Sequence, residues 1–339
     1  MSTYLLALAI GEFVKLESRT LRGTPVTVWT YPEDVMSLKF ALDYTPFVID
    51  KFENELEIPY PLPKLDLVAA RNFHVGGMEN WGLIFFDFFS IAYSQPITNY
   101  VNETVDRMYH EFRIGQLISH EIAHQWFGNL VTMRDWSELF LNEGFATFFV
   151  YEMTSVERPL TSQFVYYDNL ATLFTVQGGE DHYLSIVREL VMESQIDSSF
   201  HPTNLYTKGC VLIKMIRDLV SDFDFKAAIR RYLRRNSYRS VSRDDLFSSL
   251  PAYADHGAEH EKLSRVLESW FVNQGLPEIT LTRNYDNEMM TIKQKKTIQN
   301  EYKSFLHKNG HAILMNGRKT YTNKALQFVI NSTPAQDQT

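Results

Sequence analysis

The feature that most constrains this chain is the run His120-Glu121-Ile122-Ala123-His124, which lies inside a pattern of helical period. Residues four apart share one face of a helix, so both imidazoles can reach a single metal ion. Glu121 lies about 100° around the helix from His120, where it can take a proton from metal-bound water. Neutral imidazoles suit zinc, and a catalytic zinc site needs a third protein ligand. Without that ligand, the alternative is a pair of ordinary core histidines.

Glu143 is the candidate for the third ligand. It follows His124 after 18 intervening residues, enough for a turn and a returning helix. Most helical glutamates face solvent, but this one is embedded in the apolar stretch 139–146. A carboxylate in such a place must be paired or bind a cation, because desolvating it alone costs several kcal/mol. The pattern therefore predicts that Glu143 joins the two histidines.

Three segments, in this order, resemble the zinc aminopeptidases of the aminopeptidase N type, which belong to the gluzincins. The segments are Gly76-Gly77-Met78-Glu79-Asn80-Trp81-Gly82, residues 120–129 and Leu141-Asn142-Glu143-Gly144-Phe145-Ala146. Gly77 departs from that family, which commonly has alanine at this position. The resemblance extends over about residues 33–272.

The resemblance implies a metal site and a general base. One zinc ion per chain would be bound by His120, His124 and Glu143. Glu121 would accept a proton from the water that attacks the substrate, and pass it to the leaving amine.

The resemblance also implies how a peptide is recognised. Glu79 would bind the free α-amine, since a fixed carboxylate near the ion selects a chain end over an internal bond. Tyr206, in a Tyr-x-Lys-Gly signature, would donate a hydrogen bond to the developing oxyanion. Glu138, where the family usually has aspartate, is assigned to orienting a zinc-bound imidazole, with a surface role as the alternative. The other expected substrate-binding residues are Gly76, Gly77, Met78 and Asn80.

The resemblance implies an α+β fold with a thermolysin-like catalytic domain. That domain would span residues 33–272, between the final strands of an N-terminal β domain at 1–32 and a partial β-sandwich with a frayed tail at 273–339. The sequence pattern predicts strands at 5–10, 25–30, 65–70, 83–86, 279–282 and 289–292. It predicts helices at 33–58, 111–127, 137–156, 206–220, 225–235 and 261–272.

Composition excludes several classes of protein. With 45% apolar and 22% charged residues, the chain is globular and not disordered as a whole. A formal net charge of −8 argues against a general nucleic-acid binder. The single cysteine, Cys210, forbids an internal disulfide and a thiolate metal cluster. The apolar run at residues 4–10 is too short to span a bilayer and wrongly flanked for a signal peptide.

We therefore expect a metallo-aminopeptidase that acts on peptides with a free N-terminus. An endopeptidase that ignores Glu79 is one alternative. A zinc-bearing binding module of weak activity is another, because complete family members carry a longer N-terminal domain and a large helical C-terminal domain. The sequence leaves open whether it is a fragment or a short form, its oligomeric state, and the preferred N-terminal residue. The localisation also stays open. The enzyme would be membrane-anchored or secreted if an N-terminal anchor precedes this sequence, and a cytoplasmic enzyme is the alternative.

Overall fold

The computed structural model describes residues 1–93, 103–155, 185–187, 196, 203–250, 266–273, 277–284 and 289–296. The described chain combines helices and sheets. The predicted frayed tail, residues 331–339, lies outside the described residues.

A five-stranded sheet occupies the first ninety residues. Its strands are β1 (Val14–Arg19), β2 (Pro25–Thr30), β3 (Leu65–Ala70), β4 (Gly77–Met78) and β5 (Leu83–Asp87). The spatial order is β1-β2-β3-β5-β4, with β2, β3 and β5 parallel and the two edge strands antiparallel to their neighbours. The central strand β3 is apolar almost throughout, as expected for a strand covered on both faces.

The predicted strand at residues 5–10 is wrong. Thr3–Leu5 form a short 3₁₀ turn, and the first strand of the described residues is β1, further along the chain. Leu5 is buried, whereas Leu6, Leu8 and Ile10 are 75%, 78% and 86% exposed. Apolar alternation alone predicted a strand here, but within the described residues this segment pairs with no other strand.

The predicted helices are present, with shifted ends. A 3₁₀ turn at Pro32–Leu38 leads into the helix Lys39–Leu56, and a π-helical turn at Thr203–Lys208 leads into the helix Gly209–Val220. The helix predicted to begin at residue 111 begins earlier, at Glu103. Residues 266–272 are also helical. The helices are α1 (Lys39–Leu56), α2 (Phe88–Ile91), α3 (Glu103–His124), α4 (Phe140–Ser155), α5 (Gly209–Val220), α6 (Asp222–Asn236) and α7 (Arg243–Phe247).

Four further strands form two small sheets. β6 (Val131–Met133) runs parallel to β7 (Arg239–Val241), and β8 (Pro277–Asn284) pairs with β9 (Met289–Lys296) as an antiparallel hairpin. The hairpin confirms the two strands predicted near the end of the chain. In the part of the chain that the structure describes, no helix combines the length and apolarity needed to cross a bilayer.

The two central helices bring polar residues into the core. On α3, Ile114, Ile118 and Ile122 recur every fourth residue and are almost completely buried. The apolar residues of α4 are buried nearly all the way round the helix, so Glu143 in its first turn is only 5% exposed. A polar residue near the start of such a helix has little access to water and must find its partner inside the protein.

Gly128 allows the chain to reverse between α3 and α4. Its φ of 125° lies in the left-handed region that disfavours residues with a Cβ. Its amide donates a 2.8 Å hydrogen bond to the Val131 carbonyl oxygen. A Cβ at this position would lie 2.9 Å from Asn142 Nδ2, which is closer than real contacts allow.

We expect Gly128→Ala to destabilise the protein more than Gly23→Ala. Gly23 also has a positive φ, 89°, but a Cβ there would meet nothing within 4 Å. Gly23→Ala therefore carries only the conformational cost, about 1–2 kcal/mol. Gly128→Ala adds the collision with Asn142 and should lower the thermal midpoint further. Equal midpoints for the two variants would contradict the close packing of this turn.

Candidate metal centre

Three ligand atoms meet where the end of α3 faces the first turn of α4. His120 Nε2 lies 3.1 Å from His124 Nε2 and 3.1 Å from Glu143 Oε2. His124 Nε2 lies 3.4 Å from the same carboxylate oxygen. Donors held tetrahedrally at about 2.0–2.2 Å from a zinc ion are about 3.3–3.6 Å apart. Two of the three distances are about 0.2 Å shorter than this range. The residue types therefore fit a zinc ion, which the three donors could bind by separating slightly.

A backbone carbonyl group orients the second imidazole. His124 Nδ1 lies 3.1 Å from the Phe127 carbonyl oxygen, which can only accept a hydrogen bond. The proton on Nδ1 leaves the lone pair of Nε2 directed at the other two donors. The chain turn after α3 thus supplies the outer partner that a metal-binding histidine needs.

Two more buried carboxylates lie beside these donors. Ligand atoms of Glu79, Glu121 and His124 are all within 4.8 Å of one another. Burial raises the pKa of Glu79 and of Glu121, and the neighbouring carboxylates raise both further, while His124 opposes the shift. Carboxyl groups in this position hold a proton more readily than they would in water.

The balance of charge favours a cation at His124. Burial alone would lower the pKa of His124, but the carboxylates of Glu79, Glu143 and Glu121 raise it to about 10. Burial likewise opposes the charge on Glu143, yet His124 and His120 hold the pKa of its carboxyl group far below the usual value. For His120, burial lowers the pKa. A divalent cation bound here would offset the negative charge of these carboxylates, as a proton on His124 does.

Two buried amides hold the loop that carries Glu79. The Glu79 carbonyl oxygen accepts hydrogen bonds from Asn129 Nδ2 at 2.8 Å and from Gln125 Nε2 at 3.2 Å. Gln125 Oε1 in turn accepts from the Gly82 amide at 3.2 Å. Sequence reasoning gave Gln125 and Asn129 no role, although both lie in the segment 120–129. Their position one and five residues after His124 was the available signal.

A cavity of about 410 Å³ opens beside His120 and Glu121. Gly76, Gly77 and Tyr206 line it as well, and so does Arg113, two turns before His120 on the same face of α3. A Cβ on Gly77 would lie 2.4 Å from Glu121 Oε1. With Glu121 in this position, alanine does not fit at residue 77 unless the carboxylate moves.

Tyr206 covers the first imidazole. Its ring stacks on His120 with centroids 5.7 Å apart and an interplanar angle of 20°. Burial and the carboxylates of Glu143, Glu121 and Glu79 raise the pKa of Tyr206 well above its usual value, so the phenol keeps its proton. Gly209, three residues after Tyr206, meets Gly144 where α5 crosses α4, since a Cβ on Gly209 would lie 3.0 Å from Gly144 Cα. This close crossing brings Tyr206 to the site.

Residues 40–270 match the Peptidase family M1 domain. The chain belongs to peptidase family M1. It is 29% identical to endoplasmic reticulum aminopeptidase 2 of Bos taurus over 89% of this chain and 33% of that protein. It is 32% identical to aminopeptidase M1-B of Oryza sativa subsp. japonica, over 82% of this chain and 30% of that protein. It is 30% identical to glutamyl aminopeptidase of Rattus norvegicus, over 83% of this chain and 28% of that protein. The chain thus spans about a third of the length of these relatives.

The remaining predicted substrate residues of this M1 chain lie outside the cavity lining. Met78 pairs with Phe85 in the sheet. Asn80 is buried, and its Nδ2 donates to the Tyr4 carbonyl oxygen at 3.5 Å. Glu79 does not line this cavity either, but its carboxylate lies within 4.8 Å of the ligand atoms of His124 and Glu121.

Glu138 lies in an ion-pair network rather than against an imidazole. Its Oε1 accepts from Arg243 Nη1, and Arg243 also pairs with Glu268 in the helical residues 266–272. The prediction that Glu138 orients a zinc-bound histidine therefore finds no support in its hydrogen bonds. The longer glutamate side chain reaches Arg243, a partner that sequence reasoning did not identify.

We expect Lys208→Met to stabilise the folded chain much more at pH 7 than at pH 10. Burial lowers the pKa of Lys208 from 10.5 to about 8. Between these pH values the unfolded chain binds more protons than the folded chain. The free-energy cost of burying the Lys208 amine is therefore full below pH 8 and is lost as the pH rises towards 10.5. It amounts to at most about 3 kcal/mol. Thermal midpoints at both pH values, with the exposed Lys15→Met as control, test this, and equal gains at both pH values would contradict it.

Proposed function

We propose that this chain is a zinc-dependent aminopeptidase that hydrolyses the N-terminal residue from peptides. The observation that carries the proposal is the convergence of His120, His124 and Glu143 beside the buried carboxyl group of Glu79. Membership of peptidase family M1 supports it, and so do the names of the relatives, which are aminopeptidases.

His120, His124 and Glu143 would hold the zinc ion. When bound, zinc lowers the pKa of a water molecule and polarises the scissile carbonyl group. The two imidazoles and one carboxylate leave room for a fourth partner, which is the arrangement of catalytic and not of structural zinc sites.

Glu121 is the general base. It lines the cavity, and burial raises the pKa of its carboxyl group, which makes the carboxylate a stronger base than in water. It accepts a proton from the attacking water and passes that proton to the nitrogen of the leaving peptide.

Glu79 and Tyr206 recognise the two polar ends of the reacting residue. The Glu79 carboxylate accepts hydrogen bonds from the α-ammonium group, and the amides of Gln125 and Asn129 fix the loop that presents it. Tyr206, whose phenol stays protonated, donates a hydrogen bond to the oxygen that becomes negative during attack.

The proposed architecture is a thermolysin-like catalytic domain between partial β domains. Because β1 and β2 belong to the same sheet as β3 to β5, we place the start of this domain before residue 14 and not at residue 33. The hairpin of β8 and β9 lies at the start of the proposed β-sandwich segment, 273–339.

Glu121→Gln should retain zinc but lose about 10²–10⁴-fold in kcat, because the amide cannot accept the proton. Metal analysis of the purified variant and cleavage of a leucyl reporter give the two readouts. Glu17→Gln, an exposed glutamate far from the cavity, serves as the matched control. Near wild-type kcat in the zinc-loaded Glu121→Gln variant would refute its role.

The test of the proposed activity compares a leucyl reporter that has a free amine with its N-acetylated form. The zinc-loaded chain should cleave only the free-amine reporter, and a chelator should abolish that cleavage. Glu79→Gln should reduce kcat/KM for the free-amine reporter by about 10- to 100-fold, the value of a charged hydrogen bond. Equal cleavage of both reporters by the wild-type chain would favour an endopeptidase, and no cleavage by zinc-replete protein would favour a binding module.

A further inference from the structure

A tyrosine far away in the sequence contacts the residue that precedes the third ligand. Asn142 Nδ2 donates a 3.1 Å hydrogen bond to the hydroxyl oxygen of Tyr4, across 138 residues of sequence. Asn142 is almost completely buried in the first turn of α4. The bond therefore fastens the helix end that carries Glu143.

The same amide lies against the turn that follows α3. A Cβ on Gly128 would lie 2.9 Å from Asn142 Nδ2 and 3.6 Å from His124 Nδ1. The Asn142 amide and His124 Nδ1, the imidazole nitrogen on the side away from Glu143, thus both border the turn at Gly128. The pair Tyr4–Asn142 stands behind two of the three proposed ligands.

Tyr4 also contacts the other segments around the site. Its carbonyl oxygen accepts from Asn80 Nδ2 at 3.5 Å, and the next carbonyl, of Leu5, accepts from the Trp81 amide at 3.3 Å. Its ring packs on Trp136, with centroids 5.2 Å apart. The 3₁₀ turn at Thr3–Leu5 therefore joins the Glu79 loop to the start of α4.

The phenol of Tyr4 remains neutral in this acidic surrounding. Burial raises the pKa of Tyr4, and the carboxylates of Glu79 and Glu143 raise it further. A neutral hydroxyl group can accept from the amide without adding another negative charge near the carboxylates.

We propose that Tyr4 is a positioning residue of the metal centre, which holds Glu143 against His124 through its hydrogen bond to Asn142. The inference rests on the proposed function, because it assumes that these two residues bind zinc. Outer partners of metal ligands commonly change metal affinity by about 10- to 100-fold. Tyr4 contacts the neighbour of a ligand and not the ligand itself, so we expect an effect at the lower end of that range.

The experiment measures zinc affinity of the 339-residue chain by competition with a chromogenic chelator. Tyr4→Phe removes only the hydroxyl group and keeps the ring on Trp136. Tyr31→Phe is the matched control, since Tyr31 contacts Phe13 and Arg71, away from the site. We expect Tyr4→Phe to weaken zinc binding by about tenfold or more, and Tyr31→Phe to leave it unchanged. Tyr4→Phe leaves the buried Asn142 amide without this acceptor and should lower the metal-free thermal midpoint, so zinc affinity is compared at a temperature well below the midpoints of all variants.

A double-mutant cycle assigns the effect to Asn142. If the hydrogen bond transmits it, Tyr4→Phe should add little in an Asn142→Ala background. Zinc affinity of Tyr4→Phe within twofold of wild type would overturn the inference while leaving the proposed function intact, and so would additive losses in the cycle. A wild-type chain that binds no zinc would overturn both.

Discussion

The structure depends on the compensation of buried negative charge. Glu79, Glu121 and Glu143 are all nearly inaccessible to water, and all lie next to His124. Carboxylates in such surroundings are costly unless a positive charge joins them. The His124 imidazole supplies one such charge when protonated, and its Nε2 lies close enough to His120 Nε2 and Glu143 Oε2 for the three to bind one zinc ion. The fold thus creates a site whose buried carboxylates need a positive charge beside them.

The site is assembled from short segments that pack closely against one another. Gly128 permits the tight turn between α3 and α4, and Gly144 and Gly209 permit the close crossing of α4 and α5. These three glycines let the segments that carry the two imidazoles, the Glu143 carboxylate and Tyr206 approach one another closely. The buried amides of Gln125 and Asn129 add the Glu79 loop. Packing, more than local propensity, therefore sets the geometry of the site.

The sequence predicted the elements whose patterns are long and local. The helices of the central region and the buried strands β3 and β5 were recognisable, because period and apolar run length are properties of neighbouring residues. The grouping of His120, His124 and Glu143 was predictable from helical spacing, the apolar setting of Glu143 and the resemblance to known zinc aminopeptidases. The segment 5–10 was mispredicted as a strand, since a strand needs a pairing partner that an apolar run does not reveal.

Contacts between residues that are far apart in the sequence could not be predicted from the sequence. Tyr4 meets Asn142 across 138 residues, and Arg243 meets Glu138 across 105, so no local pattern could pair them. Gln125 and Asn129 lay inside a recognised segment, but their role depends on the position of the Glu79 carbonyl group. Such contacts are decided by tertiary packing, which also explains why Glu138 faces Arg243 and not an imidazole.

The most direct measurement is a crystal structure of the zinc-loaded chain with diffraction data on both sides of the zinc absorption edge. The expected result is one anomalous peak per chain, about 2.0–2.2 Å from His120 Nε2, His124 Nε2 and a carboxylate oxygen of Glu143. A peak that lies away from these atoms, or that leaves Glu143 out of coordinating range, would contradict the metal centre and the hydrolytic function built on it.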